Sequence, residues 1–298
     1  MSSVLRPVRS WLYVPGHRPD RVAKALVSGA DAVVIDLEDA VPPALKAQAR
    51  ATTLDVLSRR VPGPQVWVRV NAAETKWGQD DLAALVGSQV DGLRMPRAQD
   101  PELVADAARL TGLPLQLLLE TALGLRRAPE LAQAHSLVSG LGLGEADLSA
   151  DLGLVDDAGL AWARGWLVVA ARSSGLPSPV QSVWTNVSDL DGLRRSTEVG
   201  RAMGFVGRSV VHPRQLPVVH DVFTPSGAAV AIALAVLEAA DHAALSGEVA
   251  VLDRDGRFID AAVVARARVL LALAGHEAAV VAPAPNTRHI TATPGESP

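Results

Sequence analysis

The chain has 298 residues, nearly half of them hydrophobic, with a net charge of −4 and no cysteine. That length suits one large α/β domain or two small ones around a substantial core, and the charge, with no basic run, speaks against nucleic acid as the main partner. Lack of cysteine rules out disulfides and thiolate chemistry, so a metal would need oxygen or histidine ligands, and oxygen favours Mg²⁺, Mn²⁺ or Ca²⁺.

In chain order, residues 1–9 are polar and read as loose. No hydrophobic leader stands there, and no apolar run reaches about 18 residues without charge, so a cytoplasmic chain with no membrane partner is expected. Residues 10–16 read as a first strand ending in a Pro15-Gly16 turn, followed by a helix over 19–30 that closes at Gly29. Residues 32–39 read as a second strand with Asp36, Glu38 and Asp39 at its exit; Pro42 and Pro43 then open a helix through Leu57. A third strand over 65–71 carries Arg69 and Asn71, and a short helix spans 80–86. A fourth strand covers 91–97, and Asp100 caps a helix over 100–110.

The fifth strand is the run from Leu115 to Leu119, which ends in Glu120. A continuous apolar run of this length reads as a parallel strand buried on both faces. A carboxylate at its end is costly to bury unless the strand opens into a site or a cation sits there. The plainer alternative is that Glu120 or Thr121 caps the next helix. A helix near 129–135, a Gly-rich sixth strand over 136–144, and an apolar helix over 160–174 follow. A seventh strand over 179–184, a helix over 189–203, an eighth strand over 207–213 and a helix over 216–223 complete the series.

Eight strand–helix units at roughly 25-residue spacing predict an α/β fold, a (β/α)8 TIM barrel over residues 1–224. An open doubly wound sheet would call for a Gly-rich turn after the first strand, and no G-x-G-x-x-G is present there. Residues 225–281 read as a C-terminal helix–hairpin–helix with an Asp255-Gly256 turn. It is too small to bury its own apolar faces and is expected to pack on the barrel or on a neighbouring subunit. The Pro- and Thr-rich stretch 282–298 is expected to be disordered.

In a barrel the strand C-termini form the active face. That collects Asp36, Glu38, Asp39, Arg69, Asn71, Arg97, Glu120, Asp147 and His212. Glu120 and Asp147, on neighbouring predicted strands, suit one Mg²⁺ completed by substrate oxygens and water. Arg69 can fork a substrate carboxylate. Each has a plainer reading: the acids as helix caps, Arg69 as a structural ion pair, His212 as a structural hydrogen-bonding residue, and Asp260 as a solvent-facing cap. Lys24, Lys46 and Lys76 fall on predicted helices or loops, which argues against a Schiff-base lysine.

Seven motifs occur in order: Ser10-Trp-Leu-Tyr-Val-Pro-Gly-His-Arg-Pro19, Val34-Ile-Asp-Leu-Glu-Asp-Ala-Val41, Val68-Arg-Val-Asn71, Met95-Pro96, Leu119-Glu-Thr-Ala122, Gly144-Glu-Ala-Asp147 and Gly207-Arg-Ser-Val-Val-His-Pro213. Together they resemble the citrate lyase β-subunit-like proteins of the HpcH/HpaI aldolase superfamily, and the segment 255–268 is similar to that family's C-terminal part. The resemblance implies a Mg²⁺-dependent lyase or synthase acting on CoA thioesters of 3-hydroxy acids, with a 2-oxo acid and an acyl-CoA as partners, in a homotrimer or homohexamer. It implies Glu120 and Asp147 as metal ligands and Arg69, Glu120 and Ala146 as substrate-binding positions. It implies Asp260 as an acid supplied by a neighbouring subunit. Glu38 and Asp39 are expected to position the proton transfer that Asp260 performs at the acyl α-carbon. A thioesterase on the same site, or a non-catalytic CoA-thioester-binding subunit, are the alternatives. Arg97 and Arg208 stand where lysine is common, and Gln181 where an acid is expected.

Overall fold

The computed structural model describes residues 8–246, 251–252 and 258–275. The chain divides into two compact units, Pro7–Thr224 and a second containing Pro225–Pro298. In the first, β1 (Ser10–Pro15), α1 (Pro19–Leu26), β2 (Ala32–Asp36), α2 (Lys46–Ser58), β3 (Gln65–Arg69), α3 (Lys76–Leu85), β4 (Gly92–Met95) and α4 (Pro101–Thr111) alternate. Then come β5 (Leu115–Leu119), α5 (Ala122–Arg126), α6 (Ala128–Ala132), β6 (Val138–Leu143), α7 (Glu145–Leu152), α8 (Ala161–Ser173), β7 (Val180–Gln181), α9 (Leu190–Met203), β8 (Gly207–Val210) and α10 (Leu216–Phe223). The strands form one parallel sheet in the order β6-β5-β4-β3-β2-β1-β8-β7. It is a (β/α)8 barrel, nearly closed, with β6 and β7 flanking the seam.

Side-chain parity explains why the strands read as unbroken apolar runs. On β2, Val33 and Ile35 join the shell between sheet and helices, while Ala32 and Val34 pack with Trp11, Trp67 and Val180 in a separate cluster. The second set is the barrel interior, so both strand faces are dry. Trp11 and Trp67 meet there at 5.1 Å. Gly92, the register partner of Trp67, makes room for it: a Cβ at that position would lie 2.3 Å from the indole.

Three local expectations change. The helix placed near 129–135 is replaced by α5 and α6, because the Thr121 side chain accepts from Gly124 N at 3.0 Å and starts the helix at once. The sixth strand stops at Leu143, and Asp147 lies in the first turn of α7, one element later than the strand end expected for it. The seventh strand shrinks to two residues, preceded by Pro179, which has no N–H to give a ladder.

The second unit holds α11 (Gly227–Ser246), the antiparallel pair β9 (Val251–Leu252) and β10 (Phe258–Ile259), and α12 (Ala261–Leu273). It has a small core of its own in Ala233, Val236, Ile259, Ala267 and Leu271. Ile232, Leu234, Phe258 and Val269 stay exposed, so much of its apolar surface is not covered from within. The Asp255-Gly256 turn and the stretch 282–298 lie outside the described residues. Among the described residues one stretch, Pro213–Ala244, is by length and composition apolar enough to cross a membrane. It is not one straight helix: Thr224 is extended between α10 and α11, and α10 buries Leu216, Val219, Val222 and Phe223 in the barrel unit.

Candidate active site

The mouth of the barrel is a cavity of about 850 Å³ lined by Asp36, Asp39, Arg69, Arg94, Glu120, Ala146 and Asp147 among others. Arg69 ends β3 and Asp36 ends β2, paired in register. The guanidinium grips Asp36 through Nε–Oδ1 at 2.7 Å and Nη2–Oδ2 at 2.6 Å. Its Nη1 sits 2.9 Å from Glu38 and 3.3 Å from Asp39. The fork expected to be open for substrate therefore already meets three carboxyl groups. Asp36 is 1 % exposed and also accepts from Glu38 N and Ala40 N, which folds the acidic loop back over β2. Burial opposes the charge on Arg69, but Asp36 outweighs it and holds the guanidinium above its ordinary range.

Glu38 and Asp39 differ. Asp39 is exposed, whereas burial pushes the Glu38 carboxyl up to about 8, with Arg69 opposing and Glu120 and Asp39 reinforcing. The loop that carries them is pinned by a lysine that in the sequence stands out only as a helix residue. Lys46, 6 % exposed, donates to Leu37 O at 2.8 Å, Glu38 O at 2.7 Å and Asn71 Oδ1 at 2.7 Å. Asn71 in turn donates to Asp81 Oδ2 at 2.6 Å, and Arg50 holds the other oxygen of Asp81 at 2.8 Å. A proline pair followed by a lysine near an acidic strand exit was the available signal.

Glu120 follows β5 and is 5 % exposed. Its Oε2 accepts from Arg97 N at 2.9 Å, and Oε1 has no partner among the described residues. Arg97 adopts a left-handed backbone, φ 51°, that turns its N–H to the carboxylate, while its own side chain is exposed. In the sequence Arg97 is legible only as a cation. Burial pushes the Glu120 carboxyl up to about 7; Arg97 N–H opposes, and the nearby charge of Asp147 adds to the rise. Gly144 gives Glu120 its room: a Cβ there would lie 2.4 Å from Glu120 Cγ.

Asp147 and Ala146 are exposed at the start of α7, where the helix dipole favours an acid. Arg164 of α8 fixes this turn, gripping Glu145 at 2.8 and 2.7 Å and Asp157 at 2.8 and 2.6 Å. The described residues contain no group of three or more His, Asp or Glu placed to hold a metal. Glu120 and Asp147 offer two carboxylates, one of them buried, raised in pKa and free at one oxygen. Such a pair suits Mg²⁺, which keeps several water or substrate oxygens in its shell.

His212 caps the 3₁₀ turn before α10, accepting from Arg214 N at 3.1 Å, which is the structural role. Arg208 is buried against α9, donating to Ser196 and Thr197 hydroxyls at 3.1 Å, and Gln181 donates to Ser196 O. Asp260 caps α12 through Val263 N at 2.9 Å and is exposed in the second unit.

The profile of the HpcH/HpaI aldolase/citrate lyase family matches residues 9–213. The chain belongs to that family. It is 38 % identical over 282 residues to a (3S)-malyl-CoA thioesterase of Cereibacter sphaeroides, covering 92 % of this chain and 97 % of the relative. It is 31 % identical over 301 residues to an L-malyl-CoA/beta-methylmalyl-CoA lyase of the same organism, covering 89 % and 94 %. Among solved structures, it resembles Mycobacterium tuberculosis CitE in complex with magnesium, acetoacetate and coenzyme A, with a TM-score of 0.77 and 30 % identity over 91 % of this chain and 100 % of that one. Each of these family members matches across the barrel, in line with the ordered motifs.

Proposed function

We propose that this chain is a Mg²⁺-dependent carbon–carbon lyase or synthase that cleaves or forms a short 3-hydroxyacyl-CoA thioester, with a 2-oxo acid and an acyl-CoA on the other side. The observation that carries the reading is Glu120: a buried carboxylate at a strand's C-terminal end, half satisfied, beside Asp147 and open to the cavity. These two residues would hold the metal, which supplies Lewis-acid polarisation of a substrate oxygen. Arg69, fixed by Asp36, can exchange the exposed Asp39 at Nη1 for a substrate carboxylate. Glu38, protonated near neutral pH, can donate a hydrogen bond at the same edge. Asp260, in a homotrimer or homohexamer, would come from a neighbouring subunit to move the proton at the acyl α-carbon.

A thioesterase reading is favoured by the name of the relative that is 38 % identical. Product analysis on malyl-CoA and citramalyl-CoA separates the two. The lyase reading expects equal amounts of 2-oxo acid and acyl-CoA, no free thiol, and loss of turnover in EDTA. Free thiol without 2-oxo acid would replace it with hydrolysis. No product of either kind would leave a CoA-thioester-binding subunit.

A further inference from the structure

Below the acids, the barrel interior holds a second arginine. Arg94 lies on β4 as the register partner of Arg69 and is 2 % exposed. Its Nη1 donates to Tyr13 Oη at 2.9 Å and Ser209 Oγ at 3.2 Å. The guanidinium lies over the rings of Trp11 at 5.1 Å and Tyr13 at 5.5 Å. Among the described residues, buried Nε has no partner, Nη2 has no hydrogen bond, and no carboxylate stands within ion-pairing distance. A guanidinium does not shed its proton to escape burial, so an unpaired one this deep is a standing cost.

The space in front of Arg94 is built to stay open. The inward positions of β6 and its exit are Gly140, Gly142 and Gly144, facing Gln116, Leu118 and Glu120. A Cβ on Gly142 would lie 3.0 Å from Leu118 and 3.4 Å from Arg94 Nη2. Arg94 and Tyr13 both line the same cavity as Glu120 and Asp147. Tyr13 Oη accepts from Arg94, which leaves its own proton to donate. Burial holds that phenol above its ordinary range, so it stays a donor.

We propose that Arg94, with the Tyr13 hydroxyl, forms a second carboxylate subsite at the floor of the cavity, selecting substrates with an acid group beyond the one held at the mouth. This rests on the reading of the cavity as an oxo-acid and acyl-thioester site. The carboxylate belongs either to the oxo acid or to the acyl group; the chemistry at Arg94 is the same.

Equilibrium titration in Mg²⁺ tests it in two pairs: pyruvate against freshly prepared oxaloacetate, and propionyl-CoA against succinyl-CoA. In one pair the member with the extra carboxylate binds about tenfold tighter or more, as a charge-assisted bidentate contact would give. Arg94→Met removes that preference and changes affinity for the other member by less than about threefold, while Arg94→Lys keeps part of it. Which pair responds identifies the source. Circular dichroism verifies the fold, and Arg94→Gln serves if Met disturbs it. A preference unchanged in Arg94→Met, or absent from both wild-type pairs, overturns the subsite. Turnover is not read, so a protein without lyase activity still answers. A wild type that binds no member of either pair overturns both the subsite and the reading of the cavity.

Discussion

Arg69 and Arg94 are neighbours across β3 and β4, point into the same barrel, and are opposites in circumstance. Arg69 at the mouth meets Asp36, Glu38 and Asp39. Arg94 at the floor meets two hydroxyls and two aromatic faces, and no counter-charge. The mouth already satisfies its cation, so a ligand must displace a group there. The floor is unbalanced, so a ligand can complete it. The same side chain can therefore be structural in one layer of a barrel and receptive in the next, and only its partners tell which.

The two arginines should differ most in what they contribute to stability. Arg69→Met strands Asp36, 1 % exposed, without its cation, and should cost about 3 kcal/mol or more in denaturant unfolding. Arg94→Met leaves no acid orphaned and keeps an apolar stem between Trp11 and Tyr13, so it should change stability by about 1 kcal/mol or less. Equal losses in the two variants would mean that Arg94 has a partner the contacts do not explain.

How much of this could be read from the chain follows from where each signal lies. Two-sided burial makes a parallel strand apolar throughout, so β2 and β5 stood out and the acids at their ends were visible by contrast. Glu120 follows from that contrast, the barrel from the eight strand–helix units taken together, and Arg69 from its place at a strand exit of that barrel. Arg94 was not visible. Four residues, Gly92 to Met95, carry no alternation that says which face is inward, and a charge inside a barrel contradicts the expectation for a strand interior. The glycines of β6 are plain in the sequence as a Gly-rich strand, but their inward alternation depends on register with β5. Lys46 and Arg164 act on partners 25 and 19 residues away, Asn71 and Glu145, a distance no local pattern encodes. Asp147 was misplaced by one element because a Gly-rich strand end and a helix start look alike in sequence.

A second prediction separates mouth from floor by pH. In the metal-free protein Glu38 and Glu120 have pKa values of about 8 and about 7, against an ordinary value near 4.5. A folded value above the unfolded one means the native state holds more protons through that interval. Unfolding free energy should then be highest below about pH 4.5 and should fall as pH rises toward 7 to 8, so far as these two groups decide it. Glu38→Gln and Glu120→Gln should each flatten the slope in EDTA, while Arg94→Met should not. With Glu120 as a proposed Mg²⁺ ligand in its ionised form, the affinity should be about tenfold weaker at pH 6 than at pH 8, from one proton with a pKa of about 7. A pH-independent Mg²⁺ affinity would place the metal elsewhere.

The smallest effect concerns the backbone that serves Glu120. Arg97 sits at φ 51° with an exposed side chain, and what Glu120 uses is its N–H. A left-handed non-glycine residue carries strain on the order of 1 kcal/mol, which glycine removes, offset in part by the greater freedom of glycine in the unfolded chain. Arg97→Gly should therefore leave stability unchanged or raise it by about 0.5 kcal/mol, and hold Mg²⁺ affinity within about twofold, because the donor to Glu120 remains. Arg97→Ala keeps the strain and loses the charge, so it reports on the side chain alone. Arg97→Pro forbids the positive φ and removes the N–H, and should weaken Mg²⁺ binding far more than either. If Gly and Ala weaken the metal as much as Pro does, the guanidinium serves the mouth directly, and the cation there is more than a carrier for its own amide.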